Sequence, residues 1–137
     1  MKILSIHDGH NASASLFENG QIISCVSEER INRIKFYSGW PELSIKYVLE
    51  SNNVSLDQID VVTLSHLNTL HYAWRKLSFL ENYEFWPIKR FLGHLYHIFL
   101  TFKREIRVKN LFRDIKKKPK FYFCDHHLGH AASAYYY

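Results

Sequence analysis

The 137-residue sequence is poor in cysteine and has no long uninterrupted apolar run. Cys25 and Cys124 are its only cysteines, and two cysteines in a chain of this length exclude a disulfide framework. A reduced, cytoplasmic setting is therefore favoured. The longest apolar stretch, residues 91–102, is interrupted by one glycine and two histidines and is too short to cross a hydrocarbon core of about 30 Å. Polar residues also break the apolar N-terminal run at once, so the pattern of a signal peptide is absent.

The sequence has fewer acidic than basic residues, with 13 Asp and Glu compared with 18 Lys and Arg. The basic residues are concentrated in two stretches, 30–35 and 103–120, and neither stretch matches a nucleic-acid-binding motif. A nucleic acid is therefore not expected as a partner. A hydrophobic content of 47% with 16% aromatic residues predicts one globular domain with a real core, or part of such a domain.

Alternating and apolar patterns at the N-terminus predict three strands. Residues 2–7 have the pattern of a buried strand, and residues 12–17 resume an extended pattern after a polar turn. Asn19-Gly20 is a strong hairpin signal, and residues 21–27 supply the next strand. The sequence therefore begins with an antiparallel three-stranded meander.

A helix and a strand of a different type follow the meander. Residues 28–35 carry charge of both signs, which predicts a solvated loop. Pro41 begins a short amphipathic helix that is predicted to end near Asn52. Residues 59–64 form the nearly continuous apolar run that is typical of a strand in parallel pairing. This order predicts an α/β protein that opens like the ribonuclease-H-like fold of actin-like kinases and ATPases.

Residues 70–118 change to a helical periodicity, with apolar side chains recurring every three or four residues. We interpret this segment as a helical insertion whose aromatic stripe packs in the core. The alternative is a helix that lies on a membrane surface, because the segment ends in the basic run 116–118. Pro119 ends the insertion, and residues 121–124 are predicted to return the chain to the sheet.

Three histidines follow that returning strand. Asp125 is a good N-cap residue, so His126 and His130 lie one helical turn apart on one face, while His127 points about 100° away. This is metal-ligand spacing, and a helix N-terminus favours the neutral imidazole that a metal requires. Two ligands are too few, so a further group, such as a carboxylate, must come from elsewhere. The alternative is a helix end with solvated histidines.

Four short motifs occur in order along the chain. They are His10-Asn11-Ala12-Ser13-Ala14, Glu28-Glu29-Arg30 with Arg33 and Lys35, Gly39-Trp40-Pro41, and His126-His127-Leu128-Gly129-His130-Ala131-Ala132-Ser133-Ala134. In order and spacing, these motifs resemble the nodulation-type and antibiotic-type O-carbamoyltransferases, whose N-terminal domain is related to the tRNA threonylcarbamoyladenosine synthases. Where relatives often carry a histidine in the second motif, this sequence has Phe36.

The resemblance implies an actin-like fold and a transferase activity. In the family, a carbamoyl group is activated as carbamoyl-adenylate, from carbamoyl phosphate and ATP, in a separate C-terminal domain and then passed to the hydroxyl group of a small molecule. His10 matches the histidine that acts near the transferred group. His126 and His130 match the ligands of a divalent transition metal, which we expect to be iron, with zinc as the alternative.

The resemblance also implies roles for three further side chains. Arg30, Arg33 and Lys35 match a segment that lines the cleft, where they can hold a phosphate or an anionic group of a substrate. A solvated run of charge is the alternative for these three residues. His127 points off the metal-binding face and is expected to contact the carbamoyl group.

Relatives of this kind continue for several hundred residues beyond the matching part. Residues 1–137 are therefore expected to be the N-terminal part of the actin-like domain, without its second half and without the adenylating domain. The partner would be a C-terminal portion or a separate subunit that carries it, and the chain alone is expected to be inactive. The competing hypothesis is a non-catalytic interaction module that retains the fold and possesses an aromatic docking surface, with membrane contact as a further alternative.

Overall fold

A computed structural model describes residues 1–65, 88–125, 127, 129 and 131. The chain divides into two compact units, one comprising Met1–His66 with Asp114–Tyr137 and the other comprising Leu67–Arg113. The strands are β1 Lys2–His7, β2 Ser13–Glu18, β3 Gln21–Ser27, β4 Val61–Leu64 and β5 Lys120–Phe123. The helices are α1 Glu28–Asn32, α2 Glu42–Glu50 and α3 Ile88–Leu111, with a short 3-10 turn at Leu56–Gln58.

The five strands form one mixed sheet in the order β3-β2-β1-β4-β5. β1, β2 and β3 pair antiparallel, whereas β4 pairs parallel with both β1 and β5. Asn19 and Gly20 join β2 to β3 with φ angles of 51° and 85°, the positive values that a tight hairpin turn requires. The predicted meander, its hairpin turn and the later parallel strands are confirmed, and the protein is α/β.

One face of the sheet supplies most of the core of the first unit. Leu4 of β1 lies between its register partners on β2 and β4, and Ile6 repeats this arrangement two residues later. Helix α2 packs against β2 and β3 and buries three aliphatic side chains. Each fully buried aliphatic side chain contributes about 1.5–3 kcal/mol of transfer free energy. The buried apolar residues of these elements are Leu4, Ile6, Ala14, Leu16, Val62, Leu64, Ile45, Val48 and Leu49.

The prediction of a solvated loop over residues 28–35 was wrong at its start. Residues 28–32 form helix α1, and Glu28 is only 3% exposed. The mixed charge concealed the helix because the carboxylate of Glu28 is satisfied by donors on α2 rather than by water. Residues 33–40 do run as irregular chain between α1 and α2.

Helix α3 confirms the helical periodicity over its own length, and the remainder of the predicted insertion before residue 88 lies outside the described residues. The expectation of core packing for its apolar stripe was wrong. Among the side chains of this helix that the structure describes, Thr101 and Val108 are buried, and most of the apolar stripe lies on the opposite side, exposed. The exposed apolar residues are Leu92, Leu95, Tyr96, Phe99, Phe102 and Ile106. Over the described ranges, no helix is long and apolar enough to span a membrane.

The two cysteines agree with the prediction that the chain has no disulfide framework. Cys25 lies on β3 and Cys124 directly follows β5, and both are exposed free thiols.

Candidate functional site

The carboxyl ends of β1, β4 and β5 lie at the same edge of the sheet, because these strands run parallel. The ladder extends one residue past the strands: the N–H of Ser65 donates to the carbonyl of Ile6 at 3.3 Å, and that of Cys124 donates to the carbonyl of Leu64 at 2.8 Å. Neighbouring strands are about 4.8 Å apart, so the chain leaving β5 is about 10 Å from the chain leaving β1. Parallel sheets commonly bind ligands at this edge.

The loop after β1 carries His10, which is exposed. His10 forms an antiparallel backbone bridge with Ser38, and the N–H of Ala12 donates to the carbonyl of Tyr37 at 3.1 Å. The carbonyl of Ala12 accepts a hydrogen bond from the N–H of Glu28 at 2.8 Å. The structure therefore ties the His10 loop both to the start of α1 and to the segment that follows α1.

His7, the last residue of β1, was missed as a site residue by sequence reasoning. Its Nδ1 is hydrogen-bonded to Oγ of Ser65, and its Nε2 lies 2.8 Å from the carbonyl oxygen of His10. Asp8, the next residue, is buried. A polar residue at the carboxyl end of a buried strand was the available signal. Nothing in the sequence indicated its pairing with Ser65, 58 residues away.

Glu28 holds α1 against the beginning of α2. Its carboxylate accepts hydrogen bonds from the backbone N–H groups of Leu43 at 3.2 Å and Ser44 at 2.7 Å, and from Oγ of Ser44 at 2.6 Å. Since β3 ends at Ser27, whose register partner Ser13 pairs with His7, α1 begins at the same edge of the sheet as the His10 loop.

The three basic residues predicted to bind an anion are exposed in or just after α1. Arg30 lies in the last turn of α1, and Arg33 caps that helix with a φ of 62° while its N–H donates to the carbonyl of Glu29 at 3.1 Å. The Nζ of Lys35 lies 5.1 Å from the ring centroid of Phe36. The structure brings this segment to the His10 loop and leaves its three cationic side chains accessible to an anion.

The histidine segment begins directly after β5. Oδ1 of Asp125 accepts the backbone N–H of His127 at 2.9 Å, and the carbonyl of Asp125 accepts that of Gly129 at 3.0 Å. Positions 127, 129 and 131 are helical, so the prediction that Asp125 is an N-cap is confirmed. His127 is exposed, whereas the predicted ligands His126 and His130 lie outside the described residues.

No three His, Cys, Asp or Glu side chains converge in the part of the chain that the structure describes. A metal site at this edge would therefore have to include residues outside that part, such as His126 and His130. The chemistry of this donor pair suits iron or zinc, because imidazole nitrogen is a ligand for both.

Two pKa shifts occur at the opposite edge of the sheet. A hydrogen bond from Lys117 at 2.6 Å lowers the pKa of Asp60, and the backbone N–H of Lys2, at 2.9 Å, lowers it further. A hydrogen bond from Lys2 at 2.6 Å also lowers the pKa of Glu18. These contacts lie at the amino ends of β1 and β4 and at the carboxyl end of β2, whereas the His10 loop lies at the other end of β1.

Comparison with known proteins identifies the family. Residues 2–137 match the family described as Carbamoyltransferase N-terminus, which covers nearly the whole chain. The chain therefore belongs to this carbamoyltransferase family, as its four motifs predicted. It is 31% identical over 130 residues to nodulation protein NolNO of Sinorhizobium fredii, an alignment that includes 92% of this chain and 17% of that protein.

Two uncharacterised proteins are also similar. One, from Methanocaldococcus jannaschii, is 37% identical over 98 residues, covering 72% of this chain and 19% of that protein. The other, from Synechocystis, is 30% identical over 139 residues, covering 93% of this chain and 22% of that protein. The chain thus spans about a fifth of the length of the curated relatives that it matches.

Proposed function

We propose that this chain forms the acceptor side of an O-carbamoyltransferase and the first part of an actin-like domain, with α3 in a helical insertion. The reaction is transfer of a carbamoyl group from carbamoyl-adenylate, made from carbamoyl phosphate and ATP, to the hydroxyl group of a small molecule. Adenylation and the second half of the domain are assigned to a C-terminal portion or a separate subunit. The supporting observation is the convergence of the His10 loop, the Arg33–Ser38 segment and the Asp125-capped helix at one edge of the sheet.

The chemistry requires a base and a way to orient the carbamoyl donor. An alcohol that attacks the carbamoyl carbonyl must lose its proton, and an exposed imidazole such as that of His10 can accept it. Arg30, Arg33 and Lys35 provide cationic groups that can hold the phosphate of the adenylate. His127, at the start of the helix after β5, is assigned to the carbamoyl group.

His126 and His130 are the residues that would hold a divalent transition metal, iron or zinc. When bound, such a metal supplies positive charge near the oxyanion that develops on the carbonyl oxygen. The role of Asp125 is independent of the metal: its side chain caps the helix by accepting the backbone N–H of His127.

A hybrid enzyme tests the proposed function. Residues 2–137 replace the matching N-terminal segment of an active family member, and pyrophosphate release reports adenylation while AMP release reports transfer. We expect both activities in the hybrid and a selective loss of AMP release in its His10→Ala variant. His97→Ala, on the exposed surface of α3, is the control. A His10→Ala hybrid that transfers at the unsubstituted rate would contradict the assignment.

The isolated chain provides a complementary test. With carbamoyl phosphate, ATP and candidate alcohols, the 137-residue protein is expected to release neither pyrophosphate nor AMP, since both adenylation and part of the site are assigned elsewhere. Turnover above a control without protein would contradict the assignment of adenylation to a C-terminal portion or a separate subunit.

A second candidate role, contact with an anionic membrane surface, is favoured by the exposed stripe of α3. Leu92, Leu95, Phe99, Phe102 and Ile106 follow one another at alternating spacings of three and four residues, so they share one face. The sequence of α3 contains six Lys and Arg residues and one Glu. An apolar face bordered by cations is complementary to anionic lipid headgroups.

Co-sedimentation with vesicles tests this second role. The protein should bind vesicles that contain phosphatidylserine and not vesicles of phosphatidylcholine alone. Phe99→Gln and Phe102→Gln should abolish binding, whereas Tyr47→Gln, at an exposed aromatic residue on α2, should leave it unchanged. Equal binding by all variants would exclude α3 as the membrane contact surface. The exposed apolar stripe would then be assigned to contact with a protein.

A further inference from the structure

The side chain of His7 joins two segments of the proposed site that are far apart in the sequence. From the last position of β1, Nε2 lies 2.8 Å from the carbonyl oxygen of His10, and Nδ1 is hydrogen-bonded to Oγ of Ser65. Ser65 directly follows β4. The ring of His7 therefore bridges the His10 loop and the end of the neighbouring parallel strand.

The contact with the His10 carbonyl fixes the tautomer of the neutral ring. A backbone carbonyl oxygen can only accept, so Nε2 of His7 must carry the hydrogen. In the neutral ring Nδ1 is then the acceptor, and the hydroxyl of Ser65 must donate to it. Both ring nitrogens are satisfied in this one orientation, so rotating the ring would break two hydrogen bonds at once.

Gly9 allows the ring to occupy this position. A Cβ atom added at Gly9 would lie 2.9 Å from Cε1 and 3.1 Å from Nε2 of His7. The first of these distances is shorter than a carbon–carbon contact permits. Any larger residue at position 9 would therefore displace the ring, the loop backbone, or both.

We propose that His7 is a positioning residue, which holds the loop that presents His10 against the end of β4 through its hydrogen bonds to the His10 carbonyl and to Ser65. The inference rests on the proposed function only in naming His10 as the group that is positioned. His7 itself is assigned no contact with the substrate.

Imidazole NMR of the 137-residue protein tests the geometry without substrate or metal. In a ¹H–¹⁵N spectrum, His7 should be the Nε2–H tautomer. Ser65→Ala should shift the Nδ1 resonance because it removes the donor, whereas Ser65→Thr retains the hydroxyl and should preserve the wild-type resonance. An Nδ1–H tautomer, or identical spectra for the Ala and Thr variants, would overturn the proposal.

Two substitutions of His7 by amide side chains distinguish its hydrogen bond to the His10 carbonyl from its hydrogen bond to Ser65. The amide of His7→Gln reaches the position of Nε2 and can still donate to the His10 carbonyl, whereas that of His7→Asn is shorter and reaches only the position of Nδ1. The reporter is hydrogen exchange of the Ala12 amide, which is bonded to Tyr37 at 3.1 Å. We expect exchange about five- to tenfold faster in the Asn variant, as for loss of one hydrogen bond, and near wild type in the Gln variant.

The Cys124 amide, bonded to Leu64 at 2.8 Å in the sheet, is the internal control and should exchange equally in both variants. Equal exchange of Ala12 in both variants would overturn the positioning role. Gly9→Ala should accelerate exchange of Ala12 in the wild-type background and add nothing in His7→Asn, because the displaced ring is then already missing. An additive effect in the double variant would also overturn the role.

Kinetics distinguish this proposal from the proposed function. In the hybrid enzyme, His7→Asn should lower kcat and leave the KM of the acceptor alcohol unchanged, and His7→Gln should restore kcat. If the hybrid shows no transfer while the NMR and exchange results hold, the proposed function fails and the anchoring by His7 stands. If transfer is normal in both His7 variants, the positioning role fails and the proposed function stands.

Discussion

Glu28 caps helix α2 from a different helix, by accepting hydrogen bonds from both the backbone N–H and the hydroxyl of Ser44, at 2.7 and 2.6 Å. The N-cap residue of α2 is Pro41, whose side chain has no acceptor. The first N–H groups of a helix have no partner within the helix, so an acceptor must come from outside. The buried carboxylate of Glu28 supplies it and also meets the positive end of the helix dipole.

Loss of this capping contact should destabilise the protein. Glu28→Ala leaves three donors of α2 without their acceptor and should lower the free energy of unfolding by about 3 kcal/mol, whereas Glu28→Gln, which keeps one carbonyl oxygen, should cost about 1 kcal/mol. Urea unfolding followed by circular dichroism measures both. Glu50→Gln is the control, since Glu50 forms only an exposed pair with Lys46 at 3.8 Å and should change stability by less than about 0.5 kcal/mol.

Asp60 should make stability depend on pH in the acid range. Its pKa is lowered in the folded protein below the ordinary value of 3.8, chiefly by Lys117, so the unfolded chain binds the proton more readily. The contribution is therefore fully present above pH 3.8 and is lost as the pH falls through the lower folded pKa. Asp60→Asn should reduce stability at pH 7 and show a smaller further loss than wild type below pH 3.8.

The midpoints of urea unfolding, measured at pH 7 and below pH 3.8, give the pH dependence of stability for wild type and Asp60→Asn. Asp57→Asn, at an exposed position in the preceding 3-10 turn, is the matched control and should follow wild type at both pH values. High salt should diminish the effect of Asp60, because the partner Lys117 is exposed. An Asp60→Asn profile parallel to that of wild type would rule out the linkage.

The backbone conformation of Arg33 should destabilise the folded protein. It occupies the left-handed region with φ of 62°, where a side chain costs about 1 kcal/mol relative to glycine. Arg33→Gly should therefore raise the midpoint of thermal unfolding, whereas Arg33→Ala, which keeps a Cβ atom, should leave it nearly unchanged.

Both variants remove the cation of Arg33. In the hybrid enzyme, both should therefore raise the KM for the carbamoyl donor, carbamoyl-adenylate, to a similar extent. This pair separates charge from backbone conformation. A KM that changes only in the glycine variant would assign the effect to the loop conformation, and an unchanged KM in both would leave Arg33 as a solvated surface charge.

Metal content should distinguish the predicted ligands His126 and His130 from their neighbour His127. Metal analysis of the hybrid enzyme should show bound iron or zinc in the unsubstituted protein and in His127→Ala, and loss of the metal in His126→Ala and in His130→Ala. In the isolated chain, binding should be weak, because the remaining ligands are assigned to a C-terminal portion or a separate subunit. Equal metal content in all variants would assign the three histidines to a solvated helix end.

The sequence predicted those parts of the fold that depend on local patterns. The bounds of β1 and β3, the turn at Asn19 and the helix after Pro41 follow from alternation, turn chemistry and the restricted backbone of proline. Asp125 was recognised as an N-cap for the same reason, because an N-cap is a contact between residues two positions apart.

The parts that were missed depend on residues distant in the sequence. Burial of Glu28 requires donors that lie 15 and 16 residues away on α2, and the partner of His7 lies 58 residues away. The exposed stripe of α3 was misassigned for a related reason. Periodicity shows that a face is apolar, but it cannot show which of two faces the fold buries.

The parallel pairing of β5 with β4 affects the order in which the protein folds. β1, β2 and β3 are joined by short turns and can pair as soon as they have been synthesised, whereas β5 lies at residues 120–123 and must close a long loop. During synthesis, the meander can therefore form before the edge of the sheet at which β5 places Asp125 and His127. A ligand that needs this edge cannot act as a template for early folding, and nascent chains remain insensitive to it until β5 has left the ribosome.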